Sequence, residues 1–466
     1  MNERHGLMMK SDTIAAIATG MSNAGISIIR ISGDEAFTII DKIYRSKGGN
    51  KKLSDMETHT VHYGYIVDNE DIIDEVMVVL MRAPKSYTKE DCIEIDCHGG
   101  ITVTKRVLET VIKYGARPAE PGEFTKRAFL NGRIDLSQAE AVIDIIHAKN
   151  TMALENSINQ LKGNVLKKVK EIRDSVLYDV AFIEAALDDP EHMSLDGFSE
   201  TLQEHVENHC KEIEQLLKSA DNGRLIKEGI KTVILGKPNA GKSSLMNLLV
   251  GEEKAIVTDI AGTTRDVLEE TISLDGICLN VYDTAGIRET SDVVEKIGVE
   301  KAMSMGQNAD LIIYVVDASV ELDKNDEEII EFIKDKKAIV LLNKSDLSPV
   351  ILDSEIEKRT GKKVIRVSAK EETGFDEMKN EITEMFFHGK LQFNDEVYIT
   401  NIRQKTALKD ALDSLYQVLQ SIEANMPEDF YSIDLMNSYE VLGSIIGESV
   451  DEDLVNTIFK EFCMGK

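Results

Sequence analysis

The sequence predicts a multidomain chain of α/β and α class: an N-terminal α+β domain, then a helical domain with an α/β module inserted into it. Three observations lead there. Strand-like and helix-like runs alternate at the start of the chain. Apolar residues at three- and four-residue spacing, without strand signals, run from 136 to 221 and return over Arg403–Ala424 and Ser432–Phe462. Between these helical stretches lie a strand, a glycine-rich loop and a helix. At 466 residues the chain exceeds one comfortable core. The boundaries read as 1–132 for the first domain, 133–228 and 388–466 for the two parts of the helical domain, and 229–387 for the insert.

In order, Gly25–Gly33 is a strand carrying Arg30 among β-branched residues, and Val61–Val67 and Asp74–Met81 pair as two more. Ile93–Gly100 is a strand entering a glycine turn, followed by a helix over Thr102–Tyr114. There are no internal repeats and no low-complexity linker. The five cysteines (Cys92, Cys97, Cys210, Cys278, Cys463) form no Cys-x-x-Cys pair, no secretory signal precedes them, and no apolar run reaches transmembrane length. A soluble cytoplasmic chain without a membrane is expected. The net charge of −29 argues against a general nucleic-acid binder, so any RNA contact needs a local basic patch or a basic partner. Cys97-His98 offers only two zinc ligands, too few for a site.

The insert carries the chemistry. Thr232-Val233-Ile234-Leu235 leads into Gly236-Lys237-Pro238-Asn239-Ala240-Gly241-Lys242-Ser243, and Ser244-Leu245-Met246 leads out as a helix. Such a loop wraps phosphate in backbone N–H groups, Lys242 reaching the β/γ oxygens and Ser243 facing Mg²⁺. Gly262-Thr263-Thr264 supplies a threonine, Thr264, suited to Mg²⁺ and the γ-phosphate. A strand then ends in Asp283-Thr284-Ala285-Gly286, with Asp283 behind Mg²⁺ and Gly286 able to approach the γ-phosphate. Asn343-Lys344-Ser345-Asp346 follows a buried strand, and Asp346 accepts two hydrogen bonds that guanine can donate and adenine cannot. Ser368-Ala369-Lys370 suits the guanine oxygen. Five such elements in this order predict a Ras-like GTP-binding module. The residue after Gly286 is Ile287, where Ras-type switches carry a water-orienting glutamine. Arg288, Glu289, Asp292 and Glu295 are the nearby candidates, and the residues alone do not choose among them.

Outside the module, four blocks carry a specific resemblance: Asp12-Thr13-Ile14-Ala15-Ala16-Ile17-Ala18-Thr19; Pro121-Gly122-Glu123-Phe124-Thr125-Lys126-Arg127; Asp135-Leu136-Ser137-Gln138-Ala139-Glu140; and the terminal Phe462-Cys463-Met464-Gly465-Lys466. Over essentially its whole length the chain resembles the MnmE (TrmE) family of tRNA-modification GTPases. The resemblance implies that Glu295, twelve residues after Asp283, orients the water, with Lys242 and Thr264 beside it in catalysis. It implies K⁺ in place of an arginine finger, held by Asn239 and by a loop matching Thr258, Ile260 and Thr263; Asp259 and Ala261 lie in the same nucleotide-facing loop. A cation bridging the phosphates neutralises developing charge as arginine would. The first domain resembles a folate-binding and dimerising domain for a reduced folate (5-formyl- or methylene-tetrahydrofolate). Its contacts fall on Arg30, Glu94, Arg133 and Lys466. Arg30 suits a glutamate carboxylate and Glu94 a pterin, whereas Arg133 replaces a lysine. Cys463 is structural or close to substrate rather than a nucleophile.

The expected function is therefore that of a potassium-activated GTPase working as a homodimer with the FAD-dependent partner MnmG, in a heterotetrameric or larger complex. The pair would install a carboxymethylaminomethyl or aminomethyl group at C5 of the wobble uridine of certain tRNAs, with GTP hydrolysis as a conformational switch. Two rivals are weighed. A ribosome-assembly GTPase would normally append a basic RNA-binding module, which the sequence lacks. A folate enzyme regulated by GTP would make product without MnmG.

Overall fold

The structure, a computed structural model, describes residues 12–49, 51–189, 191–192, 195, 197–252, 269–274, 276–282, 303–387, 399–460, 462 and 465. The chain divides into two compact units. One comprises Met1–Ile143, Leu166–Arg173 and Glu440–Lys466, the other Asp144–Val165 and Asp174–Tyr439.

The first unit is built on a seven-stranded sheet of order β3-β4-β5-β6-β2-β1-β7. Its elements are β1 (Ile14–Ile17), β2 (Ile26–Ser32), α1 (Ala36–Ile43), β3 (Tyr44–Ser46), β4 (Thr60–Asp68), β5 (Asp71–Met81), β6 (Cys92–His98), α2 (Ile101–Lys113), β7 (Arg117–Pro118) and α3 (Glu123–Leu130). β4 and β5 pair antiparallel, as their alternation predicts. Ile29, Ile31, Ile93 and Ile95 project to one face and pack with Ile39, Ile40, Val107 and Val111 of α1 and α2. The opposite face carries Arg30 and Glu94, which are register partners on β2 and β6.

Helices α4 (Leu136–His147), α5 (Thr151–Leu161), α6 (Asn164–Asp188) and α7 (Phe198–Glu228) follow, with no strand among the described residues, as the three- and four-residue spacing predicts. Asn150 caps α5, accepting from the Ala153 N–H at 2.7 Å.

The second unit holds a six-stranded sheet of order β13-β12-β11-β8-β10-β9. In chain order its elements are β8 (Ile230–Leu235), α8 (Lys242–Glu252), β9 (Glu269–Leu274), β10 (Ile277–Tyr282), β11 (Leu311–Asp317), α9 (Lys324–Ile333), β12 (Ala338–Asn343), α10 (Asp353–Thr360), β13 (Val364–Arg366) and α11 (Phe375–Phe387). Only β9 is antiparallel to its neighbour. β11 and β12 are buried along their whole length, as parallel strands covered on both faces must be. The loops at the carboxyl ends of β8 and β12 carry the predicted nucleotide residues.

After the module come α12 (Ile402–Glu423), α13 (Glu428–Ile446) and α14 (Glu452–Lys460). The spacing predicts that Ser432–Phe462 is helical, and the structure divides that stretch between two helices. Gly447 adopts φ +84°, and a Cβ there would lie 2.7 Å from the Phe129 ring. Asp451 then caps α14 through the Leu454 N–H at 2.7 Å. Periodicity carries no signal for such a break, because the apolar spacing resumes on the far side.

Candidate functional site

The loop between β8 and α8 has the backbone its glycines demand. Gly236 sits against the Val315 carbonyl, which a Cβ would approach to 2.4 Å. Asn239 lies in the left-handed region at φ 62°. Gly241 has φ +100°, and a Cβ there would stand 2.0 Å from the Asn343 side-chain amide. Lys242 Nζ donates to the carbonyls of Gly236 at 2.7 Å and Lys237 at 2.6 Å. Its ammonium is thus held at the mouth of the loop, where the N-terminus of α8 adds its own preference for an anion. Ser243 and Ser244 are exposed on the first turn of α8.

Asn343 ties this loop to the base-recognition end. Its Nδ2 donates to the Ala240 carbonyl at 2.8 Å, and its Oδ1 accepts from the Ala369 N–H at 3.2 Å. Asp346 Oδ1 accepts from Ser368 Oγ at 2.8 Å, and Ser368 Oγ accepts in turn from the Glu371 N–H. One hydroxyl therefore fixes the carboxylate while leaving it acceptor capacity for a ligand. Lys344 turns through φ 62° and pairs with Asp317 Oδ2 at 2.5 Å. Burial opposes charge on Asp317, but Lys344 and the Ser319 hydroxyl and N–H outweigh it and hold the carboxyl below its ordinary range. Asp317, at the end of β11, is a residue the sequence reading missed; its signal was its place at the carboxyl end of a central strand.

The structure thus joins Asn239, Ala240, Gly241, Lys242, Ser243 and Ser244 with Asn343, Lys344, Asp346, Ser368, Ala369 and Lys370 on one edge of the sheet. Thr258, Asp259, Ile260, Ala261, Gly262, Thr263, Thr264, Asp283, Thr284, Ala285, Gly286 and Glu295 lie outside the described residues. The donors that are described, a hydroxyl on Ser243 and an amide oxygen on Asn239, are the oxygen ligands that Mg²⁺ and K⁺ accept.

A second cluster forms in the first unit. Arg30 donates to Glu94 Oε1, from Nε at 2.8 Å and Nη2 at 2.7 Å, and its Nη1 donates to the Gly465 carbonyl at 3.2 Å. The guanidinium lies 5.2 Å from the Tyr87 ring centre and 5.6 Å from that of Phe124; Arg133 lies 4.6 Å from Tyr87. Two of the predicted folate residues, Arg30 and Arg133, therefore converge on Tyr87, and a third, Glu94, joins through Arg30. Arg30 and Glu94, expected to meet a glutamate carboxylate and a pterin, are in direct contact with each other. Gly465 reaches this cluster because its backbone passes beside β1, where a Cβ would meet the Ile17 carbonyl at 2.2 Å. Lys466 and Cys463 lie outside the described residues. Tyr87 went unnoticed in the sequence, and Phe124 entered only as part of a family block, since isolated aromatics give no spacing signal.

Beneath this cluster, Glu123 accepts from Arg117 at 2.6 Å and Arg127 at 2.9 Å, and Arg127 also pairs with Glu90 at 3.1 Å. Burial alone would raise the Glu123 pKa; the two guanidinium groups and the Glu120 N–H overcome it and bring it down to about 2. On β6, Cys97 is buried while His98 is exposed and pairs with Asp74 at 2.8 Å, so the two side chains leave the strand on opposite faces. Among the described residues no three metal-ligating side chains converge, and no helix is long and apolar enough to cross a membrane.

Two family models match the chain: GTP-binding protein TrmE N-terminus over residues 13–133 and MnmE helical domain over residues 136–463. The tRNA modification GTPase MnmE of Lachnoclostridium phytofermentans is 69% identical over 458 residues, covering 98% of this chain and 100% of that protein. The proteins of the same name in Acetivibrio thermocellus and Clostridioides difficile are each 49% identical, again over 98% of this chain and 100% of theirs. Among solved structures, the G domain of the T. maritima FeoB iron transporter covers 34% of this chain and 98% of its own, at 29% identity and a TM-score of 0.27.

Proposed function

We propose that this chain, which belongs to the MnmE family of tRNA modification GTPases, is activated by K⁺ and works with the FAD-dependent partner MnmG on the wobble uridine. The chain is a GTP hydrolase of tRNA modification. The finer reading is that it helps install a carboxymethylaminomethyl or aminomethyl group at C5, drawing one carbon from a reduced folate, with GTP hydrolysis as a conformational switch.

The observation that supports the GTP-hydrolysing part of this reading is the join made by Asn343, which couples the phosphate loop to the guanine-facing loop while leaving Asp346 acceptor capacity. In the proposed mechanism Lys242 holds the β/γ oxygens, Asp346 reads the guanine edge, and Ser243 with Thr264 would hold Mg²⁺. Asn239, Thr258, Ile260 and Thr263 would hold K⁺, which supplies the charge stabilisation an arginine finger gives elsewhere. Glu295 would orient the water. Arg30, Glu94, Arg133 and Lys466 would bind the folate. The outward face of β4 and β5 leaves Val61 59%, Tyr63 50% and Met77 41% exposed, which supports a homodimer through the first domain. The domain boundaries 1–132, 133–228, 229–387 and 388–466, a cytoplasmic location and a heterotetrameric or larger complex with MnmG belong to the same reading.

Mass analysis of tRNA from a deletion strain tests it. Loss of the C5 group from wobble uridines is expected, and normal uridines refute the modification role. Hydrolysis rates equal in Na⁺ and K⁺ remove the cation. A folded Glu295→Ala variant with unchanged kcat removes the catalytic assignment, and failure to bind 5-formyl-tetrahydrofolate removes the folate site.

A further inference from the structure

A chain of net charge −29 that works on tRNA must place cations where the polyanion arrives, because phosphate contacts supply most of the binding. Two stretches of this sequence carry five or more cations with no acidic residue between them. In 358–370 there are six: Lys358, Arg359, Lys362, Lys363, Arg366 and Lys370. In 42–52 there are five: Lys42, Arg45, Lys47, Lys51 and Lys52. A charge run is ordinarily a solvated face whose members pair with neighbouring acids. The first stretch does so at three of its six positions. Arg359 pairs with Glu327, Lys363 with Glu377 at 3.6 Å, and Arg366 with Asp353 at 2.7 Å.

The second stretch does not. Among the described residues none of its five cations has a carboxylate within ion-pair distance, although acids outnumber bases 83 to 54 in this chain. Their contacts are with neutral groups. Arg45 donates to the Asn69 carbonyl at 3.2 Å, Lys47 lies 5.6 Å from the Tyr63 ring centre, and Lys51 Nζ is 2.7 Å from His62 Nδ1. Burial first, and then Lys51, lower the His62 pKa, so the ring stays neutral beside the ammonium. Lys42, Lys47, Lys51 and Lys52 are exposed. The segment runs from the end of α1 through β3, an edge strand that among the described residues pairs only with β4.

We propose that this unpaired basic edge of the first unit's sheet, Lys42 to Lys52, is a contact surface for the phosphate backbone of RNA. It rests on the tRNA reading above and adds where this acidic chain meets its polyanionic substrate. The contact is sequence-independent; it positions the RNA and leaves base choice to other groups. Keeping these cations free of carboxylates means that phosphate need not displace an internal partner.

The test is fluorescence anisotropy of a labelled tRNA transcript titrated with the full-length protein over about 50 to 250 mM KCl. A Lys47→Gln/Lys51→Gln/Lys52→Gln variant is compared with an Arg359→Gln/Lys363→Gln/Arg366→Gln control. The first variant should lose about tenfold or more in affinity at about 100 mM KCl, with the slope of log affinity against log salt shallower by about 2 to 3. The control should leave the slope unchanged. All three lysines are exposed, so melting temperatures should match the wild type. The proposal is overturned if the first variant binds like wild type, if both variants weaken equally, or if the wild type binds no tRNA. It is also overturned if the first variant loses only its hold on phosphatidylserine vesicles. Any of these alongside altered wobble uridines in the deletion strain sinks the surface and leaves the tRNA-modification role standing; normal uridines there would sink that role itself.

Discussion

Replacing Glu123 by glutamine should remove a charge-dependent clamp from the first unit, and its size follows from the geometry. Glu123 is 8% exposed, accepts from two guanidinium groups, and titrates near 2 instead of near 4.5. A carboxyl with a depressed folded-state pKa contributes stability that is complete above its unfolded pKa and fades as pH falls through the folded value. That depression corresponds to about 3 kcal/mol, present above roughly pH 5 and gone near pH 2. Hydrogen exchange with mass detection, corrected for intrinsic rates, reads the opening free energy of peptides over 117–130. At neutral pH the Glu123→Gln protein should open more easily by about 3 kcal/mol, and the gap should close steadily between pH 5 and pH 2.5. A gap that stays constant across that window would mean that shape, not charge, holds the cluster. The consequence would reach the neighbouring site, since Arg127 also holds Glu90, two residues from Thr88 and three from Tyr87.

Asp346→Asn should cut kcat/KM for GTP by about 10⁴-fold while restoring use of xanthosine triphosphate, because the amide presents a donor where guanine also donates; steady-state kinetics with both nucleotides checks it. Gly241→Ala should weaken GTP and GDP binding by about 2 to 4 kcal/mol, combining left-handed strain with displacement of the Asn343 amide, as calorimetry would show. Cys97 and Cys210, buried with thiol pKa values pushed up to about 11, should resist iodoacetamide at pH 8 in the folded protein and react once urea is added. Mass spectrometry of the alkylated peptides decides that case.

The residues whose roles were legible in the sequence are those whose chemistry is local. Gly236, Gly241 and Lys242 announce themselves because a phosphate loop needs small residues and a lysine within eight positions, and the structure supplies the reason for each. The helical stretches were legible from spacing, except at Gly447, where the break is set by Phe129, 318 residues away in sequence. Contacts between distant positions left no trace. Nothing in Tyr87 alone indicates that Arg30 and Arg133 will share it, and nothing in Arg30 alone says that its first partner is Glu94. Asp317 was hidden for the same reason, because its meaning comes from Lys344, just past the end of the neighbouring strand.

The phosphate loop is held from beneath by groups that no motif contains. Lys237 sits inside the loop, and its carbonyl is one of the two that fix Lys242. Its own ammonium is tied to Asp326 at 2.6 Å and Asp323 at 3.2 Å, the two carboxylates of the capping box that starts α9. Asp326 is buried and also accepts from the hydroxyl of Tyr314, itself buried on β11. Burial disfavours charge on Lys237, yet the pair of carboxylates prevails and raises its pKa. The aim of Lys242 is therefore set along one continuous path, from the β11 core through the α9 cap to Lys237 and on to Lys242. Each link satisfies a polar group that would be costly to bury alone. A loop whose sequence matches a phosphate-binding motif thus depends, for where it points, on side chains outside that motif.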